Sequence, residues 1–232
     1  MIEIYKGLYR DNLGTREIVI TNDSWTLTTE IDGVVFSGAE FDDLSIDDKS
    51  KYTDHQLARF TFLKTPIYES DNLLETLCDC LFETVTPQVI IDKVNNIQFA
   101  ADLKIEIILG HPRSERPGQG IEFEYVTLSL AIEGKIYTGK SDLFESAFDN
   151  IRNQMGDRYH LKNCYGCMYG DYSVYGQGCF GAMHCFRNQK AEYSKVTNKE
   201  EYMELAPPYR LVQEIYCCDQ FEIRSRGAGY RG

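Results

Sequence analysis

Apolar and polar residues alternate through much of the first 140 residues of the chain. Every second position is apolar at residues 103–109 and again at 126–130, and this period of two predicts β-strands with one buried face. Glu133-Gly134 follows the second run and predicts a hairpin turn. Shorter runs predict further strands at 17–20, 25–31, 34–36, 59–63 and 77–85.

Three features interrupt this pattern. Phe123 is apolar at the opposite parity to Val126, which predicts a bulge or two-sided burial near Tyr125. The segment 40–54 is rich in acids, so we expect a solvated loop there. The prolines and glycines of segment 111–120 also predict a loop.

A clear helical pattern begins after residue 140. Ser141-Asp142 can cap its start, with Glu145 three residues after Asp142, and Gly156 can end it. The apolar positions between them recur every three or four residues: Phe144, Ala147, Phe148, Ile151 and Met155. We therefore predict one amphipathic helix, and a second short helix that begins at Asn198 and stops before Pro207.

These elements predict an α+β chain that is mainly β. Residues 1–140 would form a β-rich domain, either an antiparallel sheet or a sandwich-like arrangement. Residues 141–232 would add the helix and a loop-rich segment that holds most of the cysteines. Because no low-complexity linker separates the two parts, we expect one continuous body in which the cysteine segment packs against the sheet.

Composition narrows the class of protein. A content of 43% hydrophobic and 26% charged residues is typical of a globular chain and argues against disorder. No apolar run reaches the roughly 20 residues of a membrane-spanning helix. The first residues lack a basic segment followed by an apolar stretch, so no signal peptide is expected. We therefore expect a cytoplasmic protein with no membrane partner.

The net charge of −12 is unevenly distributed. Residues 1–150 contain 27 acids and 13 bases, a net of −14, whereas residues 151–232 contain 9 acids and 11 bases, a net of +2. An acidic surface repels phosphate, which argues against nucleic acid as a partner. The same surface attracts basic proteins, so the expected partner is a basic protein.

The cysteines carry the strongest chemical signal. Eight are present, at 78, 80, 164, 167, 179, 185, 217 and 218. The turn Cys164-Tyr165-Gly166-Cys167 is a C-x2-C motif of the kind that supplies two ligands to tetrahedral zinc. Gly166 is expected to take a positive φ that turns backbone amides towards the sulfurs.

Cys185 and either Cys217 or Cys218 would complete four thiolates. Such a site is closed to water, so we expect structural zinc and assign no catalytic residue.

Other roles for the cysteines stay open. The spare ligands by position are Cys179, His160 and His184. A disulfide is disfavoured in a reducing compartment. A redox pair normally lies at the start of a helix after a strand, a setting that the tyrosine- and glycine-rich run 165–181 does not offer. Cys78 and Cys80 share one strand face and are expected to be buried thiols.

The segment from Cys164 to Gly176 has the pattern C-x2-C-x3-D-Y-S-x-Y-G. Three further motifs follow it: Met183-x-Cys185-Phe186-Arg187-x2-Lys190, Gln213-Glu214-x3-Cys218-x2-Phe221 and the closing Gly229-Tyr230-Arg231-Gly232. In these motifs the chain resembles a family of uncharacterised bacterial proteins, a domain of unknown function, over about residues 140–232. The resemblance implies Cys218, and not Cys217, as the fourth ligand, and it places Cys179 outside the pattern. It implies no activity.

Two functional hypotheses follow. The sequence contains no serine-hydrolase, phosphate-loop or zinc-protease motif, and its acidity and aromatic content favour a non-enzymatic protein-binding protein. The concrete form is a bacterial immunity or antitoxin-like inhibitor that occludes a basic toxin. The alternative is an enzyme or a nucleic-acid processing factor that uses the arginine- and tyrosine-rich C-terminal lobe. That alternative predicts a pocket on which Asp171, Arg187 and Arg224 converge.

Overall fold

The computed structural model describes residues 2–67, 73–114, 120–174, 180, 183–205, 210–225 and 230. The strands are β1 (Glu3–Asp11), β2 (Gly14–Asn22), β3 (Leu27–Ile31), β4 (Val34–Gly38), β5 (Thr61–Pro66), β6 (Leu73–Cys78), β7 (Cys80–Asp92), β8 (Ile97–Leu109), β9 (Glu124–Ile132), β10 (Lys135–Ser141), β11 (Tyr159–Leu161), β12 (Gly170–Tyr172), β13 (Met183–Cys185) and β14 (Arg210–Val212). The helices are α1 (Asp54–Leu57), α2 (Phe144–Met155), α3 (Lys190–Tyr193) and α4 (Lys199–Met203), with a 3-10 turn at Lys49–Lys51. The prediction of an α+β, mainly β chain is confirmed.

One large antiparallel sheet forms the body of the protein. Its strands lie in the order β10-β9-β8-β7-β1-β2-β3-β4, and β11 pairs with β7 beyond the part that β1 covers. The longest pairing joins β7 to β8 through thirteen residue pairs, from Cys80↔Leu109 to Asp92↔Ile97. Two smaller sheets, β12-β13-β14 and β5-β6, complete the described strands.

The side chains of the large sheet alternate between a buried and an outward face, as the period of two predicts. Leu103, Ile105 and Ile107 are at most 1% exposed, whereas Asp102 and Lys104, at the alternate positions, face solvent. We call the outward side the open sheet face. Its side chains include Lys6, Val19, Glu83, Val85, Val89, Asp102, Lys104, Glu106, Tyr125 and Ile136.

Helix α2 covers the inward side of β9 and β10. Its five buried residues are the predicted ones, Phe144, Ala147, Phe148, Ile151 and Met155. The predicted cap is wrong, because Leu143 occupies the N-cap position and supplies no side-chain cap bond. Gly156 ends the helix with φ of 61°, as predicted. In α4, Asn198 is the N-cap and accepts the amide of Glu201 at 3.0 Å.

Side chains of α2 also protect the outer edge of the sheet at β10. The Gln154 amide donates to the Thr138 carbonyl at 2.5 Å, and its oxygen accepts the Thr138 amide at 3.2 Å. Asn150 donates to the Lys140 carbonyl at 3.3 Å. The helix can approach so closely because Gly139 has no side chain, and a Cβ there would collide with the Ala147 carbonyl. Backbone groups that an edge strand normally exposes are thereby satisfied.

The change of apolar parity near Tyr125 marks the start of a strand. β9 begins at Glu124 and pairs with β8 in continuous register from Leu109. Phe123 precedes the strand, and its ring stacks on Tyr125 with the centroids 5.6 Å apart. The predicted bulge is therefore wrong, since Phe123 lies outside the strand and Tyr125, at the same parity, lies on the open sheet face of β9.

The acidic segment 40–54 is anchored to the core instead of standing free in solvent. Phe41 and Leu44 are buried, and Ser45 forms backbone bridges to β4 and β6. This packing encloses the Asp42 carboxyl, whose Oδ1 has no hydrogen-bond partner among the described residues. Burial, and then the charge of Glu124, raise the pKa of Asp42 to about 7.

The predicted N-terminal and C-terminal parts share one core cluster. Tyr5 and Ile20 from the sheet belong to it together with Tyr172, Met183 and Val212 from the cysteine-rich part. The boundary at residue 140 stays a prediction. No helix in the described residues is long and apolar enough to cross a bilayer.

Replacing Gly139 by alanine is expected to lower the free energy of unfolding by about 3 kcal/mol, because α2 must move away from β10. Urea unfolding followed by circular dichroism measures the change. Thr138→Ala, on the outward side of the same strand, is the control and should change stability by less than about 1 kcal/mol. Equal stability of Gly139→Ala and the wild-type protein would contradict the close approach.

Asp42→Asn is expected to stabilise the protein at pH 8 and to have little effect near pH 4. The folded pKa lies above the unfolded one, so the wild-type protein loses stability as pH rises from about 4 to about 7. Each pKa unit corresponds to about 1.4 kcal/mol, and solvent screening of a partly exposed carboxyl reduces the total gain to about 2 kcal/mol. Unfolding curves at both pH values, with Asp102→Asn as the exposed control, provide the measurement. A gain that is independent of pH would contradict the burial of this carboxyl.

Candidate metal centre

The four candidate ligands come from three places along the C-terminal part. Cys164 and Cys167 lie in the turn after β11, Cys185 is the last residue of β13, and Cys218 follows β14. The first three are buried and Cys218 is half-buried. All described cysteines are free thiols, and Cys179 lies outside the described residues.

A chain of hydrogen bonds fixes the first cysteine turn to the large sheet. Lys162 donates its amide to the Val89 carbonyl of β7 at 2.8 Å. Next to it, the buried Asn163 donates to the Gln88 side chain at 2.8 Å and accepts the Gly166 amide at 3.0 Å. The turn therefore has a fixed position relative to β7.

The turn itself is closed by a backbone hydrogen bond between its two cysteines. The Cys167 amide donates to the Cys164 carbonyl at 3.2 Å. Burial raises the pKa of Cys167, while amide groups of Glu222 and Tyr169 that donate to its sulfur act in the opposite direction. Amides directed at a sulfur stabilise its thiolate, which is the form that binds metal.

Gly166 is required in this turn for a steric reason. Its φ is not positive, so the predicted left-handed conformation is wrong. A Cβ at this position would instead collide with the Leu161 carbonyl oxygen. The glycine therefore allows the turn to lie against the end of β11.

The cysteine side chains interact electrostatically. Burial raises the pKa of Cys164 well above its usual range, and Cys185, Cys167, Cys218 and Cys217 add to the rise in that order. Such a group of buried thiols disfavours ionisation unless a cation is present, and a bound metal ion reverses that preference. In donor type, the four predicted residues fit a zinc ion.

One cation of the chain already lies beside these sulfurs. Burial alone would lower the pKa of the Arg187 guanidinium, but Cys185, Tyr216 and Cys218 outweigh it and raise the pKa. Since four thiolates around zinc carry a net charge of −2, an adjacent guanidinium would offset part of that charge. Arg187 thus belongs to the surroundings of the cysteines.

The placement of the donors is looser than that of a loaded site. In the described ranges, no three His, Cys, Asp or Glu side chains stand in an arrangement that could hold a metal ion. The two spare histidines have other bonds: His160 Nε2 to the Gly166 carbonyl at 2.8 Å, and His184 Nδ1 to the Tyr202 hydroxyl at 2.9 Å. Metal binding would require the sulfurs to move to about 2.3 Å from a common centre.

Neighbouring Cys217 and Cys218 differ in their surroundings. Cys217 is exposed, and its sulfur lies 3.6 Å from the Cys218 carbonyl. Partial burial of the sulfur raises the pKa of Cys217, and the charge of Lys162 opposes this rise. Cys218 begins a second turn, in which the Phe221 amide donates to the Cys218 carbonyl at 3.3 Å. In both turns the backbone amide of the fourth residue donates to the carbonyl of the first. Cys218 is the first residue of its turn, as Cys164 is of the other.

Arg224 binds the backbone of the first cysteine turn. Its guanidinium donates to the carbonyls of Cys167 at 3.2 Å, Met168 at 3.1 Å and also Gly170. It also contacts the Tyr193 hydroxyl at 3.1 Å, which donates to the buried Asp171 at 2.5 Å. The sequence predicts a pocket shared by Asp171, Arg187 and Arg224. The structure joins two of them through Tyr193, whereas Arg187 lies beside the cysteines.

Sequence reasoning did not single out Asn163 and Glu222, which both support the turn. Asn163 accepts an amide three residues later, a bond that asparagine commonly forms at the start of a turn. This preference of asparagine could have predicted the role of Asn163 from the sequence. The backbone amide of Glu222 donates to the Cys167 sulfur from a segment far along the chain. No local sequence pattern predicts such a bond.

Comparison with known proteins gives a family and no activity. The model of a family of unknown function, DUF6304, matches residues 3–170. The match includes the large sheet, α2 and the first cysteine turn, and it ends before Cys185 and Cys218, whereas the resemblance based on motifs was strongest over 140–232. No curated protein and no solved structure matches the chain. The match covers well over half of the chain, which therefore belongs to the family of unknown function DUF6304.

Proposed function

We propose that this chain is a non-enzymatic protein-binding protein, in which structural zinc stabilises the C-terminal lobe and the open sheet face binds a basic partner. The observation that carries the proposal is a pair of acids on that face. Glu83 of β7 and Glu106 of β8 lie directly opposite each other. Like charges in this position destabilise a sheet, so a cation from outside the chain would relieve their repulsion.

The surroundings of this pair favour a protein as the source of that cation. Lys104 bonds Glu83 at 2.7 Å, whereas Glu106 has no ion pair with any described residue. Val85, 43% exposed, lies next to Lys104 in the register, and Val19 on β2 is 53% exposed. Apolar side chains around a charged centre can be buried by another protein surface, and the net charge of −12 favours a basic one.

The zinc part of the proposal rests on four thiols, of which three act electrostatically on the fourth, Cys164. Cys164, Cys167, Cys185 and Cys218 would hold the ion, and Arg187 would offset its excess thiolate charge. Bound zinc would cross-link β11, β13 and the segment after β14 and thereby stabilise the lobe. It would leave no open position for water, which agrees with a binding role.

The narrower form of the proposal is a bacterial immunity or antitoxin-like protein that occludes a basic toxin in the cytoplasm. Free thiols at all described cysteines suit a reducing compartment. Inhibition by occlusion needs a stable surface and no reactive group, and the open sheet face offers such a surface. The motif from Cys164 to Gly176 and the closing Gly229-Tyr230-Arg231-Gly232 are proposed to recur in bacterial relatives.

Metal analysis by mass spectrometry, on protein purified without a metal-affinity tag, is expected to find about one zinc ion per chain. Cys164→Ser and Cys218→Ser should each lose the zinc and lower the free energy of unfolding by more than about 3 kcal/mol, because each removes a ligand. Cys217→Ser, at the adjacent exposed position, is the matched control and should retain both. Folded, reduced protein without metal would contradict the zinc site.

The double variant Glu83→Gln, Glu106→Gln is expected to bind the partner at least about tenfold more weakly, because two desolvated charge contacts are lost. Its own stability should change by less than about 1 kcal/mol, since the repulsive pair and the exposed ion pair between Lys104 and Glu83 are removed together. The partner would first be captured from a bacterial lysate and purified. Calorimetry at two salt concentrations would then give its affinity for the wild-type protein and for the double variant. The matched control is Glu200→Gln, Glu204→Gln, which changes the net charge equally at exposed positions of the C-terminal lobe.

An acidic partner, or equal weakening by the control variant, would contradict the proposed face. If a purified basic partner is toxic to cells and co-expression of this chain restores growth, the hypothesis of an immunity protein is supported. Turnover of a substrate by the isolated chain would instead favour the enzyme alternative.

A further inference from the structure

A cavity of about 740 Å³ lies between the end of α2, β11 and the first cysteine turn. Its wall includes Lys93, Arg152, His160, Tyr165, Gly166 and Ile223. Met155 and Leu161 contribute apolar surface. A cavity of this size can enclose a small organic molecule.

Three cations among the described residues line this cavity in a chain whose net charge is strongly negative, and one of them, Arg224, is already bonded to backbone carbonyls of the first cysteine turn. Lys93 is exposed and has no ion pair with the described residues. Arg152 bonds Asp149 through one Nη at 3.0 Å, which leaves other guanidinium donors for a ligand. Asp157 also lines the cavity, and it is already engaged in an interaction within the chain.

His160 lines the cavity and lies close enough to two of its cations to be affected by their charges. Burial lowers the pKa of His160, and the hydrogen bond to the Gly166 carbonyl acts in the opposite direction. The charges of Lys93 and Arg152 lower the pKa further. The two charged groups that act on this ring are both cations. In the described wall of the cavity Lys93, Arg152 and Arg224 stand against one carboxylate, Asp157, and this excess of cations favours an anionic group over a neutral or cationic one.

We propose that this cavity binds a small organic anion, whose phosphate or carboxylate group lies on Lys93 and Arg152 and whose apolar part lies against Met155, Leu161 and Ile223. This site is separate from the open sheet face and does not depend on the function proposed above. Its wall contains Gly166, so a bound ligand would also contact the backbone of the cysteine turn.

Isothermal titration of the purified full-length chain tests the site with three probes of similar size: phenyl phosphate, benzoate and benzyl alcohol. At least one of the two anions is expected to bind with one-to-one stoichiometry. The neutral alcohol should bind at least tenfold more weakly. The stronger anion identifies which acidic group the site prefers.

Lys93→Gln and Arg152→Gln are each expected to weaken anion binding about tenfold or more, as expected for the loss of one charge-assisted hydrogen bond. Arg152→Lys should retain most of the affinity. Lys6→Gln removes the same charge from the distant open sheet face and should leave binding unchanged. Failure of both anions to bind, equal binding of benzyl alcohol, or equal weakening by Lys6→Gln would overturn the proposal.

Discussion

The structure depends on how one edge of β7 is divided between two partners. β1 pairs with the first part of this edge, at residues 81–84, and β11 pairs with the last part, at residues 90–92. The chain that leaves β11 enters the first cysteine turn at once. The longest hairpin of the sheet therefore sets the position of the turn, and the bond between Gln88 and Asn163 ties the two together. A change in the register of β7 would move the sheet and the cysteine turn at the same time.

Buried polar groups in the C-terminal lobe serve mainly to position its backbone. Arg224 donates to consecutive parts of the cysteine turn, and Tyr193 links it to Asp171. Loops without regular structure leave many carbonyls unpaired, and a buried guanidinium with five donors can satisfy several of them. These groups are therefore needed for the fold of the lobe, whereas the outward acids Glu83 and Glu106 make little contribution to it.

The sequence predicted those features that depend on local periodicity. Alternation predicted the second half of β8 and the middle of β9, helical spacing predicted every buried residue of α2, and the C-x2-C motif located the first turn. Features that depend on distant contacts could not be read in this way. The burial of Asp42 comes from packing of Phe41 and Leu44 against strands elsewhere in the chain. The need for Gly166 comes from the Leu161 carbonyl and not from its own φ, because steric contact is a property of the folded chain.

The protected edge at β10 has a consequence for how such proteins can diversify. Gln154 and Asn150 satisfy backbone groups of β10, and the opposite outer strand, β4, pairs with Ser45. A partner that added a strand would bind through backbone atoms, which are the same in every sequence. A partner that binds the face of the sheet contacts side chains instead, and these differ between sequences. If the open sheet face binds a partner as proposed, relatives could exchange one recognition specificity for another through a few surface substitutions, while the architecture beneath them stays constant.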